Sequence, residues 1–141
     1  MKAYFAHIRR DGSKEQTMGA HLLRVGNLMK EDAARIGLSS LAYLIGMLHD
    51  LGKCSKDFAD YLDWCHKHPE DNSRKGTVDH SSAGGQFLMQ RYGRRGDSAL
   101  LTVHIAALVI FSHHTGLMNY LSEDGKSDFL RRMEKIDVPN V

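Results

Sequence analysis

Nine of the 141 residues are histidine, an unusual count for a chain this size, and most of them fall in patterned places. The most informative is His49, which is followed directly by Asp50. Consecutive helical residues point about 100° apart, so an imidazole and a neighbouring carboxylate can approach one cation from two sides, most easily where a helix ends. A carboxylate also has two oxygens, so Asp50 could bridge two cations. Cations held roughly 4 Å apart stabilise both the attacking and the leaving oxygen of a phosphoryl displacement. His21, His80, His113 and His114 are further candidates for such a centre. Imidazole and carboxylate suit Mn, Fe, Co, Ni or Zn, with Mg also open. Cys54 and Cys65 stand outside the pattern, which argues against a structural zinc knuckle and leaves two thiols suited to a reducing compartment.

The remaining histidines have a blander account. His7 and His104 are expected as ordinary core or surface residues, and His66 and His68 flank a polar loop. Taken alone, His113 and His114 could serve only to complement a helix C-terminus, and Lys53 could be an ordinary helix-end cation. The combination of these residues is what points to a metal centre.

The elements that must position them read as helices. Met18, Leu22, Val25, Met29, Ala33 and Ile36 recur at three- and four-residue steps and predict a helix over Ser13–Ile36, with Ser13 and Gln16 as a capping box and Gly37 as its stop. A second helix begins at Ser39 or Ser40, buries Leu41, Leu44, Ile45 and Leu48, and ends by Gly52. A third runs from Ser55 to about His66 with Phe58, Tyr61, Leu62 and Cys65 facing inward. The polar stretch His68–Asp79, with Pro69 and Gly76, is a surface loop. A fourth helix is expected from His80 to Gly93, and a fifth from Ser98 to His113 through the apolar residues Leu101, Ile105, Leu108 and Phe111. A weaker helical segment spans Ser127–Ile136. No period-two stretch is long enough to predict a strand, although Thr102–Phe111 is rich in β-branched residues. The expected fold is an all-α bundle in which four helices bring the ligands to the core.

Composition fits one soluble globular domain over residues 1–141, since 42% hydrophobic and 26% charged residues exclude disorder and fibre. No apolar run approaches the roughly 20 residues of a membrane span, and MKAYFAHIRR lacks the apolar segment of a signal peptide, so a cytoplasmic location is expected. A net charge of +2 announces no nucleic-acid partner by itself. Basic clusters at Arg9, Arg10 and Lys14, at Arg74 and Lys75, at Arg91, Arg94 and Arg95, and at Arg131, Arg132 and Lys135 would suit phosphate backbones, or would simply be solvated helix faces.

The segment LIGMLHDLGKCSKDFADYL, Leu44 to Leu62, resembles the HD signature of the CRISPR-associated HD nuclease, the nuclease part of the type I CRISPR helicase-nuclease. DHSSAGGQFL, Asp79 to Leu88, is similar to that family's His-Ser motif, SHHTGL, Ser112 to Leu117, to its paired-His motif, and His21 in GAHLLRVGNL to its first histidine. The resemblance implies an HD-domain helical bundle with up to two divalent metal ions. His21, His49 and Asp50 would hold the first and Asp50, His80, His113 and His114 the second. Asp50 and Lys53 would be catalytic, Lys53 lying near the scissile phosphate, and Ser81 would contact substrate or support a ligand. The implied reaction is hydrolysis of single-stranded DNA that a CRISPR helicase domain or subunit unwinds and an RNA-guided surveillance complex recruits. The family pattern continues with a downstream Asp at the first metal. Here Glu123, Asp124, Asp128, Glu134 and Asp137 follow without a matching motif, which points to a C-terminally incomplete HD domain or an unusually short one, and to at most one firmly held metal. No GxxxxGK[ST] phosphate loop is present. The same ligands would also serve an HD phosphohydrolase of nucleotides or cyclic nucleotides, or a non-catalytic adaptor stabilised by metal.

Overall fold

The computed structural model describes residues 4–8 and 15–135. The helices follow in chain order: α1 (Met18–Asp32), α2 (Ser39–Leu48), α3 (Lys56–Lys67), α4 (Ala83–Tyr92), α5 (Asp97–Ser112) and α6 (Asp128–Met133). Short 3₁₀ turns at Ala33–Ile36 and Leu51–Cys54 follow α1 and α2. The helical bundle is as expected, and Thr102–Phe111 is helix throughout.

The expectation of no strand fails at the N-terminal end. β1 (Phe5–Ile8) pairs antiparallel with β2 (Glu15–Thr17), with Phe5 opposite Thr17, Ile8 opposite Glu15 and an irregularity between Phe5 and His7. A three- and a four-residue strand are too short to leave a period-two signature. The first helix therefore starts five residues later than expected, at Met18, and Thr17 caps it by accepting a hydrogen bond from the Ala20 amide at 3.3 Å. Gln16 belongs to β2, while Ser13 lies outside the described residues. So do the cluster Arg9, Arg10 and Lys14, the side chain of His7, and the residues from Ile136 onward.

α1 and α2 cross so closely that a Cβ on Gly46 would sit 2.7 Å from the Cα of Gly26. Their glycines set that distance, and with it the approach of His21 to His49. The main core joins Ile45, Leu88, Val103, Ala106, Ala107, Ile110, Phe111 and Phe129, while Ala6, Met18 and Leu22 form a smaller cluster under the hairpin. On α5 the apolar positions divide: Phe111 is buried and Leu108 packs against the core, whereas Leu101 is 63% and Ile105 49% exposed. That helix is apolar nearly all round, so its periodicity could not select a face. The small residues Ala106 and Ala107 let α5 pack closely and so determine which side is buried. Leu44 on α2 likewise faces outward.

Candidate metal centre

Asp50 is the centre of the site and is 2% exposed. It follows the α2 C-cap residue His49 and opens the turn Leu51–Cys54. Ser55 fixes this turn by donating to the Gly52 carbonyl at 2.7 Å and accepting from the Phe58 amide at 3.1 Å, which starts α3. The two carboxylate oxygens of Asp50 divide the histidines between them. Oδ2 lies 3.2 Å from Nε2 of both His21 and His49, whereas Oδ1 lies 3.4 Å from Nε2 of His113 and 3.8 Å from that of His80. His114 joins the second set through a 2.8 Å approach of its Nε2 to that of His80. Within His21, His49 and Asp50, and within Asp50, His80, His113 and His114, potential ligand atoms all lie within 4.8 Å of one another. The sequence-derived groups are the groups the fold assembles.

The routes to the site follow the expected helix ends, except that His80 lies in the loop before α4 rather than at its start. Only His21 projects from within a helix. His49 and His113 cap α2 and α5, His114 follows α5, and His80 sits in the loop three residues before α4. Helix ends suit this purpose because their carbonyls lack intrahelical partners. Nδ1–H of His49 donates to the Gly46 carbonyl at 2.8 Å, and Nδ1–H of His113 donates to Ile110 at 2.6 Å. A carbonyl can only accept, so each Nδ1 carries a proton and each Nε2 is left facing Asp50. An Nε2 so placed favours a positive charge between itself and the carboxylate, a proton in the metal-free protein or a metal ion when one is bound. Asp50 Oδ1, buried and without a well-formed hydrogen bond, makes the same demand. The donor set therefore fits divalent cations.

The charges agree. Burial works against ionisation of Asp50, but hydrogen bonds from His113, His49 and Lys53 outweigh it and hold its carboxyl far below the usual carboxylate range. Burial pushes the His49 pKa down, and the hydrogen bond and charge of Asp50 more than reverse this and leave it raised. For His80 burial prevails, and its pKa is lowered to about 4.

Lys53 is buried, with Nζ 2.8 Å from Asp50 Oδ2 and over the ring of Phe58. It is thus engaged with the carboxylate rather than presented to solvent. Ser81 is also buried, its hydroxyl donating to Asp79 at 3.2 Å and accepting from Arg132 at 2.8 Å, so in this arrangement it braces the His80 loop instead of facing a substrate. Nδ1 of His104 lies 3.2 Å from the Tyr120 hydroxyl, and His68 stacks on Trp64; neither belongs to the centre. Asp124 and Asp128 pair with Lys126 and Arg131, and among the described residues no acid after His114 joins either ligand group.

Sequence reasoning missed Asp79, Arg132 and Lys135. Arg132 belongs to a basic cluster expected either to suit phosphate backbones or to be a solvated helix face, yet its side chain is only 16% exposed and pairs with Asp79 at 3.1 Å. A usable signal was present in Asp79 itself, an acid placed two and three residues before Ser81 and Ser82 at the entry to a helix.

A helical bundle that gathers a His-Asp pair and histidines from other helix ends around one buried carboxylate defines a metal-dependent hydrolase of the HD class. The family model described as Cas3, HD domain matches residues 6–136, and the chain belongs to that family, a CRISPR-associated branch of the class. No curated protein matches the chain. Among the described residues no helix is long and apolar enough to cross a membrane.

Proposed function

We propose that this chain is a nuclease that hydrolyses phosphodiester bonds of single-stranded DNA in type I CRISPR interference, acting with a helicase domain or subunit and an RNA-guided surveillance complex. The observation that carries the reading is the division of the Asp50 oxygens between two histidine groups. His21, His49 and Asp50 would hold one divalent transition metal ion, and Asp50, His80, His113 and His114 a second. Such ions supply an activated water near neutral pH and offset charge on the phosphoryl oxygens.

The chain's own residues do the rest. Lys53 keeps Asp50 ionised and oriented, and the backbone carbonyls of Gly46 and Ile110 hold the imidazoles of His49 and His113 in the ligating tautomer. Support for an extended substrate comes from the position of His113 and His114 at an exposed helix end, where a flexible strand can bend toward the centre more readily than a rigid duplex.

The test compares labelled single-stranded DNA, duplex DNA and a cyclic dinucleotide with excess Mn²⁺, Co²⁺ or Ni²⁺. Single-stranded DNA should be cut fastest, and Asp50→Ala should not cut it. Comparable turnover of the cyclic dinucleotide would assign the site to nucleotide hydrolysis. Bound metal without turnover of any phosphodiester would make the chain a metal-stabilised adaptor.

A further inference from the structure

We infer that Asp79, gripped by Arg132 and Lys135, is a positioning residue for His80, so that α6 and the residues just after it complete the second ligand group from outside the bundle core. This rests on the metal-centre reading above.

The Asp79 carboxylate is 7% exposed and bonded on both oxygens. Oδ1 accepts from the amides of Ser81 at 2.9 Å and Ser82 at 3.1 Å, and from the Ser81 hydroxyl at 3.2 Å. Oδ2 accepts from the Ser82 hydroxyl at 2.8 Å, Arg132 Nη1 at 3.1 Å and Lys135 Nζ at 2.7 Å. A helix cap needs one or two such bonds. This carboxylate has six, two of them to cations contributed by the other end of the chain.

The two amide bonds close a turn around the one residue between Asp79 and Ser81, which is His80. The opposite side of that residue is fixed as well. A Cβ on Gly52 would lie 2.5 Å from the His80 carbonyl oxygen and 2.6 Å from its Cα, so the glycine of the His49–Lys53 segment is packed directly on the His80 backbone. His80 is held between these two surfaces while its Nε2 serves both Asp50 and His114. A ligand with two such neighbours tolerates little displacement, since functional groups must be held within roughly 0.5 Å.

The C-terminal side of the clamp is itself anchored. Gln86, on α4, donates through Nε2 to the carbonyls of Arg132 at 2.9 Å, Met133 at 3.3 Å and Lys135 at 3.0 Å. Phe129, 1% exposed, plugs α6 into the core against Phe111. The cations therefore arrive at Asp79 on a fixed segment.

The experiment follows Co²⁺ binding by visible absorption and calorimetry in the full chain, with Asp79→Ala, Arg132→Met, Arg132→Lys, His80→Ala and the double variant Asp79→Ala/His80→Ala. Amide hydrogen exchange is measured on the metal-free proteins. Asp79→Ala and Arg132→Met should weaken Co²⁺ binding about 10–100-fold, the usual cost of losing a group that orients a ligand. Arg132→Lys should recover most of that loss. The double variant should bind no more weakly than His80→Ala alone, because Asp79 acts through His80. Exchange at Ser81 and Ser82 should quicken in Asp79→Ala while α2 and α5 stay protected.

Wild-type Co²⁺ affinity in folded Asp79→Ala, additive losses in the double variant, or a uniform loss of protection along the chain would each overturn the inference. If the wild type takes up no Co²⁺, the metal-centre reading fails, and wild-type exchange at Ser81 and Ser82 in Asp79→Ala would separately remove the clamp. Should Asp79→Ala fail to fold, the contrast between Arg132→Met and Arg132→Lys decides by the same criteria.

Discussion

The Nε2 atoms of His80 and His114, on residues 34 apart in sequence, lie 2.8 Å from each other. Both rings have lowered pKa values: His80 at about 4, chiefly through burial, and His114 through burial and the adjacent charge of His113. Both are therefore neutral, the form that binds metal, at pH values where an ordinary histidine is becoming charged. On the other side of Asp50, His49 has a raised pKa and takes up a proton more readily.

Acid should consequently empty the two ligand groups in order. Protonation of His49 competes with metal as pH falls through the neutral range, whereas His80 resists until pH approaches 4. Elemental analysis of protein equilibrated at stepped pH should show the His21–His49–Asp50 group losing metal first. Loss in the reverse order would contradict the assignment.

At neutral pH the stoichiometry should be one firmly held metal per chain. The second group offers four ligands and the first only three. His80→Ala should remove the firmly held ion, and two tight ions unaffected by that change would show the ligands to be assigned wrongly.

Metal-free stability should fall between pH 6.5 and about 4. In that window the unfolded chain protonates residue 80 and the folded chain does not, so the unfolded state binds more protons and acid favours it. His49 works in the opposite sense, adding stability below its ordinary 6.5 that is lost as pH rises through its raised folded value. Asp50 and Asp79, with carboxyls held well below the ordinary 3.8, keep their contribution throughout the window and lose it only in stronger acid. The urea midpoint measured from pH 7 to pH 4 should drop for the wild type and drop less for His80→Gln.

Asp50→Ala should abolish cleavage and also destabilise the fold, because it leaves the buried Lys53 ammonium without its partner. Breaking a buried pair from one side typically costs about 3–5 kcal/mol. Asp50→Ala combined with Lys53→Met should regain much of the thermal midpoint without regaining activity, as differential scanning calorimetry and a cleavage assay would report.

Gly52→Ala should destabilise the chain by about 1–3 kcal/mol, since the new methyl meets the His80 backbone rather than a movable side chain. It should also weaken metal binding. Gly19→Ala, in α1 with nothing within 4 Å of the added carbon, should be neutral or stabilising by up to about 1 kcal/mol. Denaturant titration of the pair checks both.

The sequence by itself determined the helical class, the loop before α4 and the six residues that the fold gathers into two groups able to hold metal. Residue type restricts ligands severely, and the spacing of His21, His49–Asp50, His80 and His113–His114 distributes them over separate elements. It did not determine which face of α5 is buried, because a helix apolar on nearly every side packs wherever its small residues Ala106 and Ala107 allow the closest approach. Nor could it show that Asp50 directs one oxygen to each histidine group, that Gly52 rests on the backbone of His80, or that Arg132 crosses the fold to Asp79. Apart from the adjacent His49–Asp50 pair, those relations join residues 28 to 63 positions apart, and only the packing of the helices brings them within contact distance.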